Sequence, residues 1–140
     1  MKQRRFYTEN FKVKVMSADN IKIEDYCKDI YEWPESWEIL PEDIAYGQEI
    51  LKEIIKFIKF LILKNYTQKT LKKHIDNLWL LGGELIGRIN SDEELRNLRA
   101  KDLLLKNIDS SGGPYSRHLD SEYAFNSFDS TCKKLYKYIK

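Results

Sequence analysis

The 140-residue chain has little of several residue types on which common function classes depend. Its two cysteines, Cys27 and Cys132, show neither a CxxC motif nor Cys/His spacing, which argues against a zinc site or a redox motif and predicts free thiols. No glycine-rich phosphate loop follows a strand pattern. The two histidines, His74 and His118, have no catalytic partner at a recognisable spacing. We therefore expect a protein that is not an enzyme and that needs neither a metal nor a cofactor.

A long hydrophobic run is also missing. The most apolar stretch, 50–63, carries four charged side chains and is shorter than the roughly 20 residues that cross a bilayer. The basic residues 1–5 are followed by polar residues and not by the apolar core of a signal peptide. These features predict a cytoplasmic protein that has no membrane partner.

The chain has enough apolar material to fold, and its charge is unevenly distributed. It is 42% hydrophobic and 33% charged, and its length suits a single domain 1–140, with an extension over 1–40 and a helical bundle over 41–140. The net charge of +2 favours no class of partner. However, 17–49 holds ten acidic and two basic residues, whereas 50–75 holds one acidic and seven basic residues. Any electrostatic function must therefore be local.

Two long runs of apolar residues at helical spacing predict two long helices. The first starts near Pro41 and stops at Asn65, a residue that tolerates the left-handed backbone conformation. Thr67 is a suitable N-cap for the second, whose apolar stripe continues to Ile89. Gly82 lies in the middle of this stripe, where glycine costs about 1 kcal/mol relative to alanine, so we expect another helix to approach closely there.

Shorter segments complete a compact all-α bundle of four to five helices. Ser91 and Glu94 form a capping box that is predicted to start a short helix. After a break near Ala100, residues 103–108 predict one or two further turns. Apolar residues in 125–139 alternate three and four apart, which is typical of a helix packed lengthwise on others.

The first forty residues give a different pattern. Apolar and polar residues alternate in 11–15 and 21–23, which predicts a short β-hairpin before the helices. Trp33 and Trp37 are expected in a loop, because Pro34 disfavours helical geometry at the preceding residue. We expect these two tryptophans to cap the core.

Lysines cluster around the predicted connection between the long helices, in the helical hairpin 59–74. Three of them lie in the first two turns of the second helix, where the helix dipole disfavours cations and attracts anions. Helix stability alone does not account for this arrangement, whereas a phosphate backbone would. We predict that double-stranded DNA binds at Lys64, Gln68, Lys69, Thr70, Lys72 and Lys73.

The same segment resembles the SAM-like core-binding domain of tyrosine recombinases. A helix ending in Phe57-x-x-Phe60-Leu61 is followed by a short loop, then by Thr67-x-x-Thr70 and a helix with an apolar face. The resemblance implies a helical bundle that clamps DNA, and hence a DNA-associated accessory or regulatory protein. The recombinase catalytic residues are not found in these 140 residues, so no strand transfer is implied. The segments 76–83, 112–114 and 127–132 also resemble those of a group of small bacterial proteins, and this resemblance implies no activity.

Three alternatives remain open. The lysines are equally consistent with an ordinary solvated face. The acidic segment 24–49, with Trp33 and Trp37, predicts instead a protein-interaction module that docks a basic partner and binds no nucleic acid. A weaker hypothesis is a small hydrolase that uses His118 with Asp120, whereas His74 is expected to be structural or exposed.

Overall fold

The structure, a computed structural model, describes residues 18–140 and is an all-α fold. Its α-helices are α1 (Trp33–Trp37), α2 (Asp43–Leu63), α3 (Gln68–Ser91), α4 (Ala100–Asn107) and α5 (Glu122–Ile139). Short 3₁₀ helices lie at Ala18–Asn20, Ile23–Asp25, Ile30–Glu32 and Glu93–Asn97. The predicted all-α bundle is therefore confirmed.

The two long helices form an antiparallel hairpin whose turn is set by local chemistry. Asn65 has a φ of 66°, in the left-handed region, and ends the first helix as expected. Thr67 caps α3, because its Oγ1 accepts a hydrogen bond from the backbone N–H of Thr70 at 3.2 Å. The predicted end of the first long helix and the predicted N-cap of the second are therefore both confirmed.

The core lies between the apolar faces of α2, α3, α4 and α5. α5 lies along α3 in the opposite direction, since Asn77 contacts Ser127 while the earlier His74 contacts the later Thr131. The carboxyl-terminal half of α5 consequently lies beside the α2–α3 turn. The largest fully buried side chains are Phe57, Phe128, Ile23, Ile30, Ile50, Ile54, Ile58, Leu61, Leu78, Leu81, Leu85 and Ile86.

The predicted loop around the two tryptophans is wrong. Trp33 and Trp37 lie in the short helix α1, because Pro34 sits in its first turn, where proline is tolerated. Both indoles are buried, as expected for residues that cap the core. A Cβ at Gly82 would overlap the Trp37 ring, so the close approach predicted at this glycine is made by a side chain of α1. Trp37 Nε1 also donates to the carbonyl oxygen of Trp79 at 2.9 Å.

The segment after α3 differs from the prediction by one residue. Ser91 is the last residue of α3, and its hydroxyl donates to the carbonyl of Gly87 instead of capping a new helix. Asp92 is the actual cap, because its side chain accepts from the backbone N–H of Glu94. The helix expected after the break begins at Ala100.

The predicted β-hairpin lies mostly outside the described residues. Its first strand, 11–15, precedes the part of the chain that the structure describes. Its second strand, 21–23, leads from one 3₁₀ helix into the next, and Ile21 and Ile23 are buried against the core. The hairpin stays a prediction.

A buried carboxylate joins the beginning of α2 to the end of α3. Asp43 Oδ2 accepts from the backbone N–H groups of Ile39 and Leu40 and from Asn90 Nδ2, at 3.0, 2.8 and 2.9 Å. Its Oδ1 lies 2.7 Å from Nη2 of Arg96. Burial raises the pKa of Asp43, but these hydrogen bonds outweigh burial and hold the pKa below its usual value. The carboxylate therefore stays ionised in the fold.

Candidate nucleic-acid interface

Positive charge is concentrated at one end of the bundle. Residues 54–75 and 130–140 together contain ten lysines and no acidic residue. The structure brings the two segments together, because the Tyr138 ring packs 5.5 Å from Phe57 and 4.8 Å from Phe60. The other residues of 18–140 include 21 acidic and nine basic residues. We call the surface formed by 54–75 and 130–140 the lysine-rich end.

All six predicted site residues lie at the lysine-rich end, but not on one surface. They border three different cavities: two grooves, and a third cavity beside the acidic turn 25–29. The six residues are Lys64, Gln68, Lys69, Thr70, Lys72 and Lys73.

The first groove lies between the end of α2 and the end of α5, and we call it the lysine–aromatic groove. It has a volume of about 560 Å³. Lys64 is the one predicted site residue that borders it, and its Nζ lies 5.2 Å from the centroid of the Phe60 ring. Its lining contains no acidic side chain: Phe60, Leu61, Lys64, Tyr66, Lys134, Lys137 and Tyr138.

The second groove lies between the beginnings of α3 and α5, and we call it the α3–α5 groove. Its volume is about 620 Å³, and four predicted site residues border it together with the acidic Asp76: Lys69, Thr70, Lys72 and Lys73. The Nζ of Lys73 lies 5.7 Å from the ring centroid of Tyr123, a side chain that is 71% exposed. The Thr70 hydroxyl is already hydrogen-bonded to Thr67 Oγ1 at 3.1 Å, so it serves the helix cap in this structure.

Gln68 and Lys72 face an acidic surface. Both border a cavity together with Asp25, Asp29 and Asp76. Lys72 Nζ forms an ion pair with Asp76 at 3.2 Å. The carboxylates reduce the positive potential at these two positions. We therefore expect Gln68 and Lys72 to contribute least to anion binding.

Most lysines of this end are free of carboxylate partners. Lys56 pairs with Glu53, and Lys72 pairs with Asp76. Within residues 18–140, the remaining eight form no ion pair: Lys59, Lys64, Lys69, Lys73, Lys133, Lys134, Lys137 and Lys140.

His74 holds the two basic helices together and is structural, as expected. It is buried, and its Nδ1 lies 2.6 Å from Thr131 Oγ1, which also accepts from Asn77 Nδ2 at 2.9 Å. Burial is the main cause that lowers the pKa of His74 to about 4, and the nearby charges of Lys134 and Lys73 contribute to this shift. The imidazole is therefore neutral at neutral pH, and it joins α3 to α5 beside the lysines.

Two other reactive side chains, Cys27 and His118, border one groove of about 470 Å³ together with Asp29 and Asp76. His118 is exposed, and no hydrogen bond or ion pair joins it to Asp120. Burial is the main cause that raises the pKa of the Cys27 thiol to about 12, and burial also raises that of Cys132, so both thiols stay protonated.

Among residues 18–140, no group of three His, Cys, Asp or Glu side chains is placed to hold a metal ion. In the same part of the chain, no helix combines the length and apolarity needed to span a membrane.

The acidic segment does not expose the aromatic anchors that were predicted for a protein partner. Trp33 and Trp37 are both buried. The exposed indole nearby belongs to Trp79, which is 43% exposed and donates from Nε1 to Ser36 Oγ at 2.9 Å. Trp79 borders a groove of about 430 Å³ that also contains Asp29, Glu32, Trp33, Glu35 and Ser36.

Sequence reasoning missed the contribution of α5 to the basic surface. Lys134 and Lys137 border the lysine–aromatic groove opposite Lys64, yet the sequence predicted only a structural role for this helix. A detectable signal was present, because 130–140 holds four lysines and no acidic residue. Because α5 packs against the α2–α3 turn, the lysines of 130–140 lie on the same surface as those of the turn.

Comparison of the chain with protein-family models, curated proteins and solved structures gave no match. The resemblance to the recombinase core-binding domain therefore stays a prediction. The function must be argued from the geometry of the chain's own residues.

Proposed function

We propose that this protein binds nucleic acid through its phosphate backbone, using the lysine-rich end. The observation that carries the proposal is a set of eight lysines at one end of the bundle that have no carboxylate partner among residues 18–140, where the other residues are mostly acidic. Phosphates spaced along a polymer can contact several such lysines at once. A single small anion would use only a few of them.

The arrangement is unfavourable for the free protein, which supports a ligand as its reason. Lys69 and Lys73, and likewise Lys133 and Lys137, lie four residues apart on one helix, a spacing at which like charges destabilise the helix. Lys69 also lies in the first turn of α3, at the positive end of the helix dipole. A bound polyanion offsets these repulsions, because each lysine then lies near a phosphate of opposite charge.

The chemistry favours binding without sequence preference. The lysine-rich end contains no arginine, the side chain best suited to bidentate contacts with guanine. Lysine ammonium groups act as point charges on phosphates and position the polymer without reading its bases. We therefore propose an accessory or regulatory role in the cytoplasm, with no catalytic step.

The test is the salt dependence of binding, measured by fluorescence anisotropy with labelled DNA and RNA oligonucleotides. For the wild type, log affinity should fall linearly with log salt. The variant Lys69→Gln/Lys73→Gln/Lys134→Gln should reduce that slope by about 2–3 and weaken binding about tenfold or more near 50 mM salt. The matched control, Lys52→Gln/Lys101→Gln/Lys106→Gln, removes three exposed lysines outside the lysine-rich end and should change binding little.

Two results would contradict the proposal. The first is a wild type that shows no salt-sensitive affinity for either nucleic acid. The second is a control variant that loses as much affinity as the test variant, since the loss would then reflect overall charge and not this surface.

The surroundings of Trp79 favour a second candidate function, the docking of a basic protein segment. A cationic side chain could lie over the exposed indole while Asp29, Glu32 and Glu35 attract its charge. We expect a lysine- and arginine-rich peptide to quench tryptophan fluorescence in the wild type and not in Trp79→Phe. An unchanged wild-type spectrum at millimolar peptide would exclude this function.

A further inference from the structure

We infer that the nucleic acid bound at the lysine-rich end is single-stranded, with unpaired bases stacked on the aromatic side chains of the lysine–aromatic groove. This inference rests on the proposed function and goes beyond it, because it names the form of the polymer. It also departs from the double-stranded DNA that the sequence predicts.

The lining of the groove combines the two chemistries that a single strand offers. Lys64, Lys134 and Lys137 supply positive charge for its phosphates. Phe60, Tyr66 and Tyr138 supply ring surface for its bases, and the groove volume of about 560 Å³ is in the range of sites that enclose small organic groups. Proteins that bind single strands use this pairing of a basic groove with aromatic side chains.

The two tyrosines are both accessible and held in place. Tyr66 is 38% exposed and packs edge-on against the buried His74 ring at 5.8 Å. Tyr138 is 37% exposed, and its ring lies 4.8 Å from that of Phe60. Because these contacts already restrict the rings, stacking a base on them costs little additional conformational entropy.

The α3–α5 groove repeats the same pairing independently. Tyr123, its one ring among residues 18–140, is 71% exposed and has the Lys73 ammonium 5.7 Å from its centroid, although Asp76 also borders this groove. Lysines alone would be sufficient to bind the phosphates of a duplex. The bases of a duplex are stacked inside it, so tyrosine rings placed beside the lysines in both grooves can stack only on unpaired bases.

The lysine–aromatic groove is also suited to any base. Among residues 18–140, its lining has no Asn, Gln, Asp, Glu or Arg side chain that could read a base edge by paired hydrogen bonds. Stacking tolerates every base because each presents a π-face. We therefore expect little discrimination between homopolymers beyond their differing stacking strength.

The experiment compares a labelled oligothymidylate with a mixed-sequence duplex of equal length at one salt concentration. The wild type should bind the single strand more tightly. Tyr66→Leu, which keeps an apolar side chain but removes the ring, should weaken single-strand binding about tenfold and leave duplex binding unchanged. Tyr66→Phe should bind like the wild type. Tyr31→Leu, an exposed tyrosine outside the lysine-rich end, is the matched control and should have no effect.

The outcomes separate this inference from the proposed function. Equal affinity for both polymers, with no effect of Tyr66→Leu or of Tyr123→Leu, overturns the single-strand inference and leaves backbone binding intact. The absence of salt-dependent binding to either polymer overturns both. A tenfold loss in Tyr66→Leu together with wild-type affinity in Tyr66→Phe supports the inference, provided that circular dichroism shows both variants folded.

Discussion

The two ends of the α2–α3 hairpin differ in whether their charged side chains are paired. At the open end, Asp43 and Arg96 are paired, and Arg96 also binds Glu93 at 2.8 Å. At the end with the turn, eight lysines have no carboxylate partner among residues 18–140. The first arrangement stabilises the fold and leaves nothing for a ligand. The second forms no ion pairs among residues 18–140 and leaves its charge available for a ligand.

Each end also contains a buried titratable side chain, Asp43 at one and His74 at the other, and one of the two is ionised while the other is neutral. Hydrogen bonds and Arg96 keep Asp43 ionised. Burial and nearby lysines keep His74 neutral. The two side chains should therefore limit stability in different pH ranges, which makes the comparison measurable.

The largest effect is expected at the open end. Asp43→Ala should lower the free energy of unfolding by about 3–5 kcal/mol, because it leaves Arg96 without its buried partner and removes hydrogen bonds to Ile39 and Leu40. Urea denaturation measures this loss. The neighbouring exposed substitution Glu42→Ala should change it by about 0.5 kcal/mol or less. A loss at Asp43 no larger than the control would show that the paired network is not stabilising.

The next effect is expected from His74. Its pKa of about 4 in the fold lies below the usual 6.5, so the unfolded chain binds more protons between these pH values. Its contribution to stability is complete above about pH 6.5 and is lost as the pH falls toward 4, by about 3 kcal/mol. Asp43 has a lowered pKa, so its contribution is lost only at more acid pH, below about 3.8.

The measurement is the urea midpoint between pH 7 and pH 4 for the wild type and for His74→Gln. The variant keeps a side chain that can hydrogen-bond to Thr131 but does not titrate. Its stability should depend less on pH across this range. An identical pH dependence in the two proteins would exclude His74 as the cause.

The smallest change in the free energy of unfolding is expected for a substitution at the lysine-rich end, and it should separate stability from nucleic-acid binding. Lys69→Glu places an acid in the first turn of α3 and should stabilise the fold by about 0.5 kcal/mol while weakening nucleic-acid binding. Lys101→Glu makes the same change in the first turn of α4, outside the lysine-rich end. This control should stabilise similarly and leave binding unchanged. A Lys69→Glu protein that binds as tightly as the wild type would contradict the proposed role of this lysine.

Features governed by neighbouring residues were predictable from the sequence. Asn65 and Thr67 end one helix and begin the next through contacts within a few residues, and both were located correctly. The cap after α3 was misplaced because Ser91 and Asp92 are adjacent candidates. Because α3 extends through Ser91, this serine lies in the last turn of α3, and Asp92 caps the next helix.

Features that depend on distant packing were only partly predictable. The position of Gly82 in an apolar stripe indicated a close neighbour, but no local pattern identified Trp37 as that neighbour. In the same way, the lysines near the turn were visible in the sequence. Their companions Lys134 and Lys137 become part of the candidate site only through the direction in which α5 packs.

The absence of arginine from the lysine-rich end has a chemical consequence. All four arginines of residues 18–140 lie elsewhere, so every cationic side chain on that surface is a primary amine. Acetylation neutralises amines and leaves guanidinium groups charged. Treatment with an acetylating reagent should therefore erase this surface's attraction for polyanions, while the Arg96 pair that holds the opposite end together persists.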